Sequence, residues 1–296
     1  MGTSRWDRER QVNENVARAE ELRARGRPRE AREFADRAIA AAEAIVAQDP
    51  ADAQARWVLA GQLYNRASLR SELNDYAAGA ADAWRSLTLY EPLAAESPQY
   101  LPTCADARAR LAWMLASAGP ADVDMGSPRD HAAQAVATYE RLVADDPALR
   151  PDLARVHYLH AEVLRLLDGE GTPESVAAYA ACVREYRSLG PLTGNSLRLC
   201  ADGALRLAYG YAANDAHTGQ RDAAREAMDR FAELLAQGVG AHAHYARAIL
   251  LLSDAQAALG DPEWEQSWVD FEYVLSQLPA PLPADLAPFK EQLKRR

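Results

Sequence analysis

The chain has 296 residues, 49% of them hydrophobic and 26% charged, a globular composition rather than a disordered one. Its net charge of −10 argues against a binder of nucleic-acid phosphates, and no apolar run approaches the roughly 20 residues that cross a bilayer. With 63 Ala, 31 Arg and 2 Lys (Lys290, Lys294), it favours helix over sheet and has the usage of a GC-rich bacterial genome.

The length exceeds what one hydrophobic core usually serves, so two domains or an elongated repeat array are expected. The N-terminal stretch MGTSRWDRERQVNENVARAEEL is polar and charged, without a secretory apolar region, which predicts a soluble, cytoplasmic protein. Cys104, Cys182 and Cys200 lie inside apolar patterns, and their spacing is neither a disulfide framework nor a zinc site.

From the N-terminus onward, turn signals recur at Asp49-Pro50, Ser97-Pro98, Asp146-Pro147, Gly190-Pro191, Gly238-Val239-Gly240 and Pro279. Their spacing of roughly 40 to 50 residues suits helix-pair repeats. A second break divides each interval: Gly26-Arg27-Pro28, Asn74-Asp75, Gly119-Pro120 through Pro128, Gly169 through Pro173, His217-Thr218-Gly219 and Gly260-Asp261-Pro262. The reading is six helix pairs and a short tail, with no strand. Ser127-Pro128 and Thr172-Pro173 each place a capping hydroxyl before a Pro in the first helical turn. Gly26, Gly119, Gly169 and Gly260 follow apolar-periodic runs, where a glycine ends a helix at little steric cost.

The second helices share a pattern at offsets of four and three. It reads Ala31–Ala35–Ala38, Ala80–Trp84–Leu87, Ala135–Tyr139–Leu142, Tyr179–Val183–Tyr186, Ala227–Phe231–Leu234 and Trp264–Trp268–Phe271. First helices carry Trp57–Ala60–Gly61–Tyr64, Leu111–Ala112–Leu115 and Leu207–Ala208–Tyr211. Small residues at Gly61, Ala80, Ala112 and Ala208 let paired helices approach while an aromatic fills the next groove. These residues resemble the tetratricopeptide repeat over roughly residues 5–278. The extra helical turns between Trp57 and Ala80 make the chain similar to long-helix members such as the repeats of kinesin light chain. The resemblance implies an all-α, right-handed superhelical solenoid of about six antiparallel helix pairs over residues 1–279. A C-terminal capping helix and tail follow over 280–296, where Lys290, Lys294, Arg295 and Arg296 complement the helix dipole.

Candidate chemistry is sparse. His157 and His160 stand one turn apart, but no carboxylate sits at the offset of a zinc-protease motif, so a structural role is favoured. His242 and His244 have no ligand-type neighbours. Cys182 and Cys200 read as packing, the Trp264–Trp268–Phe271 stripe as core or cap, and Gly169-Glu170-Gly171 lacks the rest of a phosphate loop. No catalytic residue, metal or cofactor is predicted, and the acidic residues are expected on outward faces.

The resemblance also implies that first helices line a concave groove for a partner segment. The spans 51–72, 100–118, 149–168, 194–213 and 240–259 carry 11 Arg against 8 acidic residues, although the chain as a whole is acidic. The groove positions implied are Gln62, Asn65, Arg66, Arg110, Tyr158, Glu162, Arg165, Arg206, Tyr209 and Arg247. Arg suits carboxylates because its planar fork meets both oxygens, so a protein or peptide partner with acidic groups is expected. Asn65 and Arg66 are similar to the carboxylate clamp of chaperone-docking members, without its Lys residues. The alternative is that these Arg only bridge acidic neighbours within the chain. A non-enzymatic interaction scaffold or adaptor is expected, with no nucleic acid and no membrane involved. A peptide-sensing regulator and a helical enzyme are the rival readings. Reversing the charge of Arg66 and Arg165 is expected to abolish capture while leaving thermal unfolding nearly unchanged.

Overall fold

The computed structural model describes residues 4–119 and 125–293. The middle of the predicted turn at 120–124 and the basic end at Lys294, Arg295 and Arg296 lie outside the described residues. Among the described residues there are thirteen α-helices and no strand.

The chain divides into two compact units, Met1–Asp146 and Pro147–Arg296. The first holds α1 (Arg5–Ala24), α2 (Pro28–Val46), α3 (Ala53–Glu72), α4 (Tyr76–Glu96), α5 (Leu101–Ala118) and α6 (Pro128–Asp145). The second holds α7 (Arg150–Asp168), α8 (Pro173–Arg187), α9 (Gly194–Ala212), α10 (His217–Ala236), α11 (His242–Leu259), α12 (Trp264–Gln277) and α13 (Ala287–Leu293). Within each unit every helix packs on the next in sequence, as short connections between antiparallel helices require. Contacts also skip one helix, joining α3 to α5, α7 to α9 and α9 to α11. First helices of successive pairs therefore stand side by side, which is how helix hairpins stack when none can bury its apolar face alone.

Local chemistry sets the helix ends. The hydroxyls of Ser127 and Thr172 accept hydrogen bonds at 3.3 Å from the amides of Asp130 and Ser175, starting α6 and α8. Gly169 ends α7 with φ of 94° and Gly260 ends α11 with φ of 68°, conformations that a side chain resists. At Gly61 a Cβ would meet the Tyr90 hydroxyl at 3.4 Å, so α3 and α4 pack closely at that predicted small residue.

The predicted triplets lie mostly on the inner faces of the second helices, with Trp84 and Leu142 half-buried and Trp264, expected in the core or cap, exposed at the start of α12. Ala80, Leu87, Ala135, Tyr139, Tyr179, Val183, Tyr186, Ala227, Phe231 and Leu234 are all buried. One continuous core runs through α7–α11, with Tyr179, Tyr186 and Phe231 as its large members. In the C-terminal region Phe271 is buried, and Trp268 and Phe289 meet its ring with centroids 5.5 and 5.4 Å away. Leu286, in the segment before α13, is buried in the same cluster, so that segment covers the last pair. Cys104, Cys182 and Cys200 are buried free thiols, and burial raises all three above the usual thiol range.

Candidate functional site

In the first unit the predicted groove residues have separate fates. Gln62 is half-buried and Asn65 exposed on α3, and among the described residues neither side chain makes a hydrogen bond. Arg66 donates to both oxygens of Asp82 at 2.7 and 2.6 Å and to Asp36 at 2.8 Å. Arg70 approaches the same Asp82 at 2.9 Å. The Asp82 side chain is only 3% exposed and that of Arg66 13%. Burial works against the Arg66 charge, but its hydrogen bonds to the two aspartates outweigh that and raise it above the usual guanidinium value. Arg66 therefore holds α2, α3 and α4 together. Its charge reversal would strand Asp82 rather than leave unfolding unchanged, which corrects the expectation from sequence. Arg110, on α5, lies over the rings of Tyr64 and Trp113, 5.3 and 5.9 Å from their centroids, and donates to the Tyr64 hydroxyl at 3.4 Å.

The second unit gathers the other six. Glu162, expected on the groove face, is buried on α7, and with the buried Asp82 it departs from the expectation that acidic residues lie on outward faces. It accepts from Arg165 at 3.2 and 2.9 Å and from the Tyr179 hydroxyl, and Arg206 approaches at 3.6 Å. Burial pushes the Glu162 carboxyl up, yet the hydrogen bonds from Arg165 and Tyr179 outweigh it, and the group titrates below its usual range. Arg165, like Arg66, is thus an internal strut. Arg206 also donates to Glu170 at 3.2 Å, and Arg247 grips both oxygens of Asp285 at 2.6 and 2.8 Å.

Beside these pairs lies a cavity of about 390 Å³. Tyr158 of α7 forms one side, and Asp202, Arg206 and Tyr209 of α9 form the floor. His244 and Arg247 of α11 close the other side, with Glu170 and Asp285 at the margins. All three helices are first members of their pairs. Four predicted groove residues, Tyr158, Arg206, Tyr209 and Arg247, line this one chamber.

Sequence reasoning missed Asp202, His244, Glu170 and Asp285. Asp202, Arg206 and Tyr209 follow offsets of four and three, which put them on one helix face, so Asp202 was findable. His244 stands one turn before Arg247 on the same ground. Asp285 had no such signal, because it comes from the irregular segment before α13. Burial raises the Asp202 carboxyl above its usual range, even though His244, Arg198 and Arg206 act to lower it. Burial likewise lowers His244, which favours neutral imidazole. His157 is buried and lowered to about 4, so it packs as a neutral ring. Among the described residues no three His, Cys, Asp or Glu side chains gather into a metal-binding group, and no helix is long and apolar enough to cross a membrane.

Stacked helix pairs with a chamber on their first helices define an all-α helical-repeat fold. Among solved structures, BtubC (BKLC) from P. vanneervenii is similar, with a TM-score of 0.57 at 15% sequence identity. The likeness covers 86% of this chain and 94% of that one, and it is a likeness of fold. No protein-family model matches the chain, and no curated protein sequence does.

Proposed function

We propose that the chain is a non-enzymatic interaction module of the long-helix tetratricopeptide type, a cytoplasmic scaffold or adaptor. Its repeats run through residues 1–279, with 280–296 as the cap. It receives an extended or helical segment of a protein partner on the first helices, and in the second unit that face is α7, α9 and α11. The observation that carries this reading is the chamber itself. Side chains from three successive first helices converge on one concavity, where ion pairs to Glu170 and Asp285 hold Arg206 and Arg247 in place before any partner arrives. Such preorganisation leaves the ordering entropy to the incoming segment. The similarity to BtubC supports the repeat architecture, and the partner reading rests on the chamber.

The test is affinity capture from the native host, with the captured protein identified and its affinity then measured on purified components. Tyr209→Arg places a long side chain across the chamber, and it is expected to weaken that partner at least tenfold while thermal unfolding stays near that of the parent. Unchanged affinity in that variant overturns the assignment of the binding face.

A further inference from the structure

The charges of the chamber are not equivalent. Arg247 is paired through both of its fork nitrogens with Asp285, and Arg206 is shared between Glu170 and Glu162. Each guanidinium's charge is thus already answered by carboxylates of the chain itself. Asp202 is different. Among the described residues it accepts no hydrogen bond, and its one ion pair is a 3.8 Å approach from Arg198, a side chain 63% exposed to solvent. The lining places three carboxylates against two arginines, with His244 favouring its neutral form. Tyr158 and Tyr209 line the chamber together with that carboxylate, and aromatic walls suit a desolvated cation.

We infer that this chamber takes a cationic side chain, the Arg or Lys of a partner segment, with Asp202 as its counter-ion and Tyr158 and Tyr209 as its walls. The inference rests on the binding face proposed above and reverses the sign of ligand that the arginine count alone suggests. At about 390 Å³ the chamber is near the lower end of ligand pockets, which run about 300–1,000 Å³. That admits one long side chain rather than a large cofactor. A guanidinium or ammonium entering there gives Asp202 the hydrogen bonds that the fold leaves unmade, and a charge-assisted bond in a partly dry site is worth more than one at the surface.

Acidification bears on the same point. The groups facing Asp202 are Arg198 and Arg206 on its own helix, Glu162 and Tyr158 from α7 and His244 from α11. Protonating Asp202 or His244 removes negative charge or adds positive charge. A cation therefore loses affinity as pH falls, whereas a carboxylate ligand gains it.

The experiment titrates Nα-acetyl-arginine amide, Nα-acetyl-lysine amide and Nα-acetyl-glutamate amide into the full chain, followed by amide NMR shifts of α9 and α11 and by calorimetry. The two cationic amides are expected to bind and the glutamate amide not. Asp202→Asn is expected to weaken the arginine amide at least tenfold without lowering the unfolding temperature, which shows that the loss is not misfolding. Equal binding by Asp202→Asn, preference for the glutamate amide, or no binding of either cationic amide overturns the inference. A free polyamine such as spermidine binding far more tightly than the blocked amides overturns the assignment to a partner side chain. If the amides fail while Tyr209→Arg still blocks the partner, the cation assignment falls and the binding face stands. If Tyr209→Arg leaves the partner bound, the binding face itself falls.

Discussion

Asp82 in the first unit is buried, its side chain 3% exposed, while Asp202 in the second is half-buried at 23%, and the two aspartates are equipped in opposite ways. Asp82 is gripped by both nitrogens of an Arg66 fork and by Arg70, so its burial cost is offset by three short contacts. Asp202 lines a chamber with one ion-pair approach at 3.8 Å, Arg206 and His244 acting on it only at longer range, and it accepts no hydrogen bond among the described residues. A buried carboxylate whose partners are complete fastens helices together. One whose partners are incomplete is available to a ligand. The contrast also explains why arginines are a poor guide to the binding surface in this chain: Arg66, Arg165, Arg206 and Arg247 are each occupied by a carboxylate of the chain itself.

The sharpest way to break that contrast is to remove each carboxylate and measure unfolding. Asp82→Asn leaves Arg70 without its carboxylate and Arg66 with Asp36 alone, and is expected to cost about 3 kcal/mol, read as a lower midpoint in urea. Glu162→Gln weakens the charge-assisted bonds from Arg165 and Tyr179, and a loss of about 2 kcal/mol is expected. Because the Glu162 carboxyl titrates below its ordinary value of 4.5, its stabilisation is complete above that pH and is lost as pH falls through the lowered value. Acid unfolding curves of Glu162→Gln are therefore expected to converge on those of the parent at low pH. Thr172→Ala removes the cap of α8 and is expected to cost about 1 kcal/mol, a reference for a purely local effect. Asp202→Asn comes last, within about 0.5 kcal/mol of the parent or slightly stabilising, since it removes a poorly solvated charge that nothing in the fold fully answers. Its sign with pH is opposite to that of Glu162: a carboxyl raised by burial burdens the folded state more as pH rises. A large loss of stability in Asp202→Asn would erase the distinction.

The helices were legible because their signals are local. Gly169 and Gly260 end helices where a positive φ is needed, and Thr172 begins one where an oxygen can meet a free amide. The small and aromatic positions of the second helices, Trp264 excepted, fall on buried or half-buried faces because a helix shows its pattern every three to four residues. The first-helix spans predicted from turn signals match α3, α5, α7, α9 and α11 to within two residues at each end.

The site was legible only in part, since its chemistry depends on which charges meet across helices. Tyr158, Arg206, Tyr209 and Arg247 do share a chamber, as the groove reading expected. No local pattern pairs Arg66 with Asp82 sixteen residues away, or Arg247 with Asp285 across thirty-eight. Glu162, expected to face the groove, is instead buried because Arg165 and Tyr179 satisfy its oxygens. Charge counts along a helix therefore overestimated what the groove has left to offer a partner.

The most direct measurement of the central claim is site-specific photocrosslinking with the purified partner, the benzophenone installed in place of Tyr209 in the chamber or of Arg184 on the exposed face of α8. The account predicts an adduct from position 209, suppressed by Nα-acetyl-arginine amide, and none from position 184. Adducts from position 184 with none from 209 would contradict it.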